Sequence, residues 1–280
     1  MGSLTGQVAV VTGGARGQGR AHAVALAREG ADVVVCDIAA PVAGLGYPMA
    51  TPDQLVETVK LVEEHGGRAL AITMDARDTV QVQSAVDQVV AEFGRLDILV
   101  ANHGIVDFST VEETTDEMWS TVVDTNLTGI FKVMRAVIPH MRRAGYGRIV
   151  ATSSSGARVT SPNLAHYIAA KWGVIGLVKS CALEVANAGI TVNAVCPAAV
   201  ATDLFFNQPT YDLFCPDIEN PTHEDFIQRM VDTAHGLNGR LYLEPEHVSR
   251  AVLHLVTDTD GVYTGQVMDV GLGLPARNIA

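Results

Sequence analysis

One stretch constrains the fold more than any other: Val8-Ala9-Val10-Val11-Thr12-Gly13-Gly14-Ala15-Arg16-Gly17-Gln18-Gly19-Arg20. It opens as a short run of β-branched and small apolar residues, the pattern of a strand buried on both faces. The run stops at a glycine cluster and passes into a helical pattern at Ala21, Val24, Ala25 and Leu26. A strand, a tight turn and a helix in that order aim free backbone N–H groups and the positive end of the helix dipole at one point, where a pyrophosphate can sit. Gly13 lets the chain leave the strand sharply. Gly17 and Gly19 remove side chains that would hold a ligand, or the helix, away from the backbone. Arg16 and Gln18 share this turn and count with the glycines as candidate cofactor contacts.

A second apolar run, residues 31–37, ends in Asp37. A carboxylate about 20 residues beyond the glycines is placed to accept hydrogen bonds from an adenosine ribose. A 2′-phosphate would meet a like charge there, and residues 38–50 contain no Lys or Arg to neutralise it, so NAD is expected over NADP. Arg16 is the one nearby cation that argues the other way. Residues 38–50 begin with Ile38, beside the adenosine edge, and contain Pro41, Gly44, Gly46 and Pro48. They are too irregular for a strand or helix and long for a connection inside an α/β unit. Thr51-Pro52-Asp53-Gln54 then reads as a capping box that opens a helix to about His65. Residues 68–75 read as the next strand. Its end, Asp75-Ala76, shares an edge with Gly13 and Asp37 if the strands are parallel; Asp75 there is either a partner for an adenine amino group or a solvated acid.

The helix at 79–93 leads to another buried strand, 96–104, ending in Asn102-His103-Gly104. By this point strand and helix have alternated often enough to predict a doubly wound parallel α/β sheet of the Rossmann type, three layers in a single domain, with ligands beyond the carboxyl ends of the strands. Thr114-Thr115-Asp116-Glu117 reads as a capping box for a long helix that holds Asn126 among Val122, Val123, Leu127 and Ile130. Asparagine is a poor helix-interior residue, and on an apolar side it needs a partner, for which a bound water is a reasonable choice. A strand at 147–153 runs into Ser154, and the following helix carries Tyr167 and Lys171 four apart on one face. A fixed ammonium near a phenol favours the phenolate, which an isolated tyrosine barely populates at neutral pH. The strand at 190–197 leads past Val200 to Thr202. Residues 203–243 lose strand regularity but carry Phe205, Phe206, Tyr211, Phe214, Phe226 and Met230, too apolar for a free loop: either a substrate lid or a subunit contact. A helix at 245–256 and a strand at 265–270 complete the pattern. The formal charge of −12 includes no basic block, which disfavours nucleic acid and anionic membrane surfaces as partners. The four scattered cysteines show neither metal nor disulfide spacing, the opening residues lack a signal pattern, and no apolar run approaches a membrane span. A soluble cytoplasmic protein is expected.

Together these residues resemble the short-chain dehydrogenase/reductase family over nearly the whole chain. Its glycine motif matches Thr12, Gly13, Gly17 and Gly19, and its catalytic tetrad falls on Asn126, Ser154, Tyr167 and Lys171. The separation of Ser154 from Tyr167 selects that serine over its neighbours. Two positions depart from the family pattern. His103 puts an imidazole near the cofactor edge, while Asn102 and Gly104 stay in register. Ala198 replaces a glycine after Pro197, which can still pack on nicotinamide. The resemblance implies hydride transfer between NAD and an apolar secondary alcohol or ketone: Tyr167 takes the alcohol proton, Ser154 bonds the substrate oxygen, and Lys171 lowers the phenol pKa and bonds the nicotinamide ribose. Asn126 holds a water that passes the proton on. Further cofactor contacts are expected from Tyr167, Lys171, Pro197, Val200 and Thr202. Gly17-Gln18-Gly19-Arg20 and the long segment after Asp37 resemble the carveol dehydrogenase-like, mycofactocin-associated subgroup, which implies tightly held NAD, a terpenoid-like substrate and an external redox carrier. Similar family members are usually homotetramers built on the long helices and the last strand, and an apolar tail at 271–275 would be a liability on a monomer. Two rivals are a 3-oxoacyl-carrier-protein reductase using NADPH, disfavoured by Asp37, and a non-catalytic NAD-sensing module, which would show damage to the tetrad.

Overall fold

The sheet takes its shape from strands whose alternate residues feed two separate cores. In β1 (Val8–Thr12), Val8 and Val10 face one core while Ala9 and Val11 face the other. The same division splits Val34 from Val33 and Val35 in β2 (Asp32–Asp37), and Leu99 from Ile98 and Val100 in β4 (Ile98–Ala101). A strand with both faces apolar must be covered on both sides, hence parallel strands joined by helical crossovers. The computed structural model describes residues 2–233 and 236–273. Among these, seven parallel strands run in the order β3-β2-β1-β4-β5-β6-β7, with β3 Ala69–Thr73, β5 Gly147–Thr152, β6 Ile190–Pro197 and β7 Val267–Val270.

One face is covered by α1 (Gly17–Arg28), α2 (Pro52–Glu63) and α9 (Pro245–Val256). The other is covered by α3 (Thr79–Phe93), α4 (Asp116–Val123), α5 (Gly129–Ala144) and α6 (Ala165–Val185). The expected three layers are therefore present. The strand order reverses at β1, whose neighbours are β2 and β4, and the crevice beyond the carboxyl ends of β1 and β4 is where such a sheet takes its ligand. Thr12 pairs with Cys36 and Ala101, and Thr152 with Val195, so the strands finish in line and their following loops share one edge.

Two local expectations need correcting. The box at Thr51 and Gln54 forms as expected, but the cap before Asp116 is Thr115, which accepts from Met118 N–H; the Thr114 hydroxyl donates to the Thr110 carbonyl instead. The long helix is not continuous, because a π turn at Asp124–Thr128 separates α4 from α5, with Gly129 N–H donating to the Asp124 carbonyl. Residues 203–233, expected to be too apolar for a free loop, hold α7 (Gln208–Phe214) and α8 (His223–Thr233). They pack around a fully buried Phe226, whose ring lies 5.0 Å from Tyr211, 5.3 Å from Phe205 and 5.4 Å from Phe214. Such pairs contribute about 0.5–1.5 kcal/mol each beyond area burial, enough to order a short segment. Residues 38–50 contain no helix or strand. Of the apolar tail at 271–275, residues 274 and 275 lie outside the described residues. No described helix is long and apolar enough to cross a membrane.

Candidate active site

The turn after β1 leaves no room for side chains. Gly13 has φ +65°, and a Cβ there would come 2.7 Å from the His103 Cα; one at Gly19 would meet the Gly13 carbonyl oxygen at 2.0 Å. Gly17, φ +55°, abuts Thr202. The turn opens onto a cleft of about 610 Å³, also lined by Arg16, Gln18, Asp37, Ile38, Asp75, Ala76, Asn102, Gly104, Ser154, Tyr167, Lys171, Pro197, Val200 and Thr202. Gly19 and Asn126 stand behind this wall.

Asp37 is buried at the end of β2 and accepts from Ala15 N–H (3.0 Å) in the glycine turn and from Ala39 N–H (3.0 Å). Each carboxylate oxygen keeps a lone pair for a further donor. Asp75 is differently placed. Both its oxygens are engaged by the Arg77 guanidinium, at 2.7 to 3.0 Å, and Arg77 holds its pKa below the ordinary value although burial acts the other way. The Gln18 side-chain oxygen is buried beside the turn without a protein partner.

The ends of β1, β4 and β5 are stitched together by Asn102. Its N–H donates to Thr12 Oγ1 (3.1 Å), its amide nitrogen to the Gly13 carbonyl (3.3 Å), and its amide oxygen accepts from Thr152 Oγ1 (3.2 Å). Thr12 Oγ1, which accepts from Asn102 N–H, also shares a hydrogen bond with His103 Nδ1, 2.7 Å away. Burial and then the Lys171 ammonium push the His103 pKa down to about 4, so the ring is neutral, and its Nε2 lies against Gly129 at the start of α5.

Asn126 is fully buried, and its side chain accepts from Ile105 N–H and donates to the Ile105 carbonyl, both at 2.8 Å. It therefore fixes the loop after β4. A Cβ at Gly104 would stand 3.1 Å from the Asn126 side-chain oxygen and 3.4 Å from Lys171 Nζ, so glycine is required for the two to approach.

The serines separate by their bonds. Ser153 Oγ donates to the Lys171 carbonyl (2.8 Å), whereas Ser154 Oγ accepts from Gly156 N–H (3.0 Å) and keeps its own proton to donate into the cleft. Tyr167 lies beside it. Burial raises the Tyr167 pKa, with the Ser154 hydrogen bond pulling it back and the Cys196 thiol adding to the rise. Lys171 Nζ donates to the Thr152 carbonyl (2.9 Å) and stands 5.6 Å from the centre of the Tyr167 ring. Burial lowers its pKa to about 8.

Sequence reasoning missed the partners of residues 38–50. Arg16, read as a cofactor contact, donates to the Pro48 carbonyl (2.5 Å) and pairs with Asp203 (2.6 Å). A Cβ at Gly46 would touch Pro209 at 2.8 Å. The Tyr47 hydroxyl accepts from Val106 N–H (3.0 Å). Tyr47 is 7% exposed, and an aromatic residue inside a Gly/Pro loop was the available signal.

A sequence model of the short chain dehydrogenase family matches residues 7–210. The chain belongs to that family. This short-chain dehydrogenase is 40% identical over 275 residues to a (-)-trans-carveol dehydrogenase of Rhodococcus erythropolis, covering 98% of this chain and 99% of that one. A crystal structure of carveol dehydrogenase from Mycobacterium avium in complex with NAD superposes with a TM-score of 0.93 at 42% identity, covering 99% of this chain and 100% of the other. A 3-oxoacyl-[acyl-carrier-protein] reductase of Synechocystis is 34% identical over 98% of this chain and 99% of its own length.

Proposed function

We propose that this short-chain dehydrogenase is an NAD-dependent oxidoreductase of apolar secondary alcohols. The observation that carries the reading is the meeting of Ser154, Tyr167 and Lys171 on the edge that also holds the glycine turn and Asp37. The residues suit the dinucleotide: a turn with no room for side chains, the orphaned Gln18 oxygen, and a carboxylate at the adenosine end. The Arg16 guanidinium is neutralised by Asp203, which weakens its claim on a 2′-phosphate and favours NAD. Gly13, Gly17 and Gly19 would admit the pyrophosphate, with Ala76, Asn102, Gly104, Pro197, Val200 and Thr202 lining its path. When bound, NAD supplies the hydride acceptor. Tyr167 takes the alcohol proton, Ser154 donates to the substrate oxygen, and Lys171 offsets the developing phenolate charge. Asn126 holds the Ile105 loop in place and, by resemblance, a water for proton exit. Residues 203–243 serve as the substrate lid, with Leu204, Phe205, Phe214 and Met230 lining the cleft.

The finer reading is that NAD is retained between turnovers and reoxidised by an external carrier, as in the mycofactocin-associated subgroup. In support, residues 38–50 run from Asp37 toward Val106, and Arg16 ties them to Asp203 across the glycine turn. The protein is read as a cytoplasmic homotetramer. Its long helices expose Trp119, Phe131, Trp172 and Leu183, the last 83% accessible. Mass spectrometry of the denatured purified protein should release NAD. A secondary alcohol should then be oxidised with an artificial electron acceptor, and Tyr167→Phe should lower that rate at least 100-fold. Absence of any alcohol oxidation with NAD supplied would end the reading.

A further inference from the structure

Residues 38–50 leave the sheet at the adenosine end of the cleft, yet Tyr47 reaches the opposite end. Its hydroxyl accepts from Val106 N–H at 3.0 Å, one residue beyond the Ile105 that Asn126 holds. The phenol also lies within the fields of Asp107 and Tyr167. A tyrosine hydroxyl has one proton to donate besides its lone pairs. Val106 uses the acceptor side. Among the described residues no protein oxygen takes the proton, and the Asp107 side chain instead accepts from Phe108 N–H at 2.9 Å. Burial pushes the Tyr47 pKa up, so it stays a neutral donor at any pH the enzyme meets.

The neighbouring wall is apolar: Val106, Phe108, Leu164, Ile168 and Phe205 line the same cleft. An unused donor in such surroundings costs free energy until an acceptor arrives, and a site that holds one discriminates strongly among ligands. We propose that Tyr47 is a substrate-binding residue whose hydroxyl donates to a second oxygen of the substrate, so that the site selects secondary alcohols and ketones carrying another hydrogen-bond acceptor. The inference rests on the alcohol oxidoreductase reading. It differs from a purely structural role for the loop, which would use only the bond from Val106 and leave the proton idle.

The test is calorimetric titration of the wild-type protein and Tyr47→Phe, both saturated with NAD. The ligands are cyclohexanone, 1,2-cyclohexanedione and 1,4-cyclohexanedione. Oxidised cofactor has no hydride to give them, so binding is read without turnover. The wild type should bind at least one dione about tenfold more tightly than cyclohexanone, the scale of one hydrogen bond to a buried donor, and Tyr47→Phe should bring that ratio close to one. NAD content after dialysis, measured on the same samples, should match between the two proteins. Equal ratios in both would overturn the proposal and leave the alcohol reading standing. Loss of NAD by Tyr47→Phe would overturn it too, assigning the hydroxyl to cofactor retention. Failure of all three ligands to bind would overturn this proposal, while the alcohol reading falls only if no alcohol is oxidised with NAD supplied.

Discussion

Asp37 joins two jobs in one carboxylate. Its bonds to Ala15 and Ala39 N–H tie the glycine turn to the root of the 38–50 loop, and its remaining lone pairs face the cleft. Asp37→Ala should therefore narrow the preference for NAD over NADP in equilibrium binding, and also destabilise the protein by about 1–3 kcal/mol, because two N–H groups lose their acceptor. Equal affinity for the two cofactors in the native protein would remove Asp37 from the ribose site. Lys171 makes a second residue-level prediction. Its folded pKa of about 8 lies below its ordinary 10.5, so between those values the unfolded chain holds more protons and stability rises with pH. For catalysis the sign is opposite. The ammonium that offsets the phenolate is lost as pH rises through about 8, which should give kcat for alcohol oxidation a descending alkaline limb there. Lys171→Arg, charged throughout, should abolish that limb even if its kcat is lower. A pH profile whose alkaline limb is the same in both proteins would show that Lys171 does not set it.

At the scale of elements, two irregular segments do what regular ones could not. The π turn at Asp124–Thr128 widens the helix where Asn126 must reach Ile105 and where His103 packs against Gly129. Residues 38–50 are stapled at both ends of the cleft, by Ala39 to Asp37 and by Tyr47 to Val106, with Arg16 clasping Pro48 between them. A strap closed over a bound dinucleotide slows its escape more than its entry. Replacing residues 39–49 with a short turn should yield a folded protein that loses NAD on dialysis, measured by its absorbance and mass spectrum. Retention as tight as in the parent would show that the strap is not the latch. Both segments were partly legible: the loop from its length and its prolines, Asn126 from its poor helix propensity. What each of them touches was not, because Val106, Pro209 and Asp203 are remote in sequence from residues 38–50.

For the whole molecule, apolar side chains left exposed on α4, α5 and α6 mark the face on which copies would pack. Light scattering at micromolar concentration should give four times the 29.6 kDa chain mass, and Leu183→Glu with Trp172→Glu should lower it. A monomer mass for the native protein would discount the homotetramer.

The sheet, its parallel strands and its ligand-binding edge were legible in the sequence alone, because hydrophobic periodicity and glycine sterics are local properties, whereas the strand order came only with the structure. Val8 to Gly19 already specify a buried strand and a turn without room for side chains. The choice of Ser154 over Ser153 rested on the spacing of the family tetrad, and in the structure Ser153 Oγ donates to the Lys171 carbonyl while Ser154 Oγ accepts from Gly156 N–H. Only the tertiary structure decided where long side chains and carboxylates find partners. Asp75 pairs with Arg77, Arg16 with Asp203, and the Asn126 side chain with the Ile105 backbone. It also decided that burial raises the Tyr167 pKa and lowers that of Lys171. Desolvation depends on every atom packed around a group, and that sum exists only once the chain has closed upon itself.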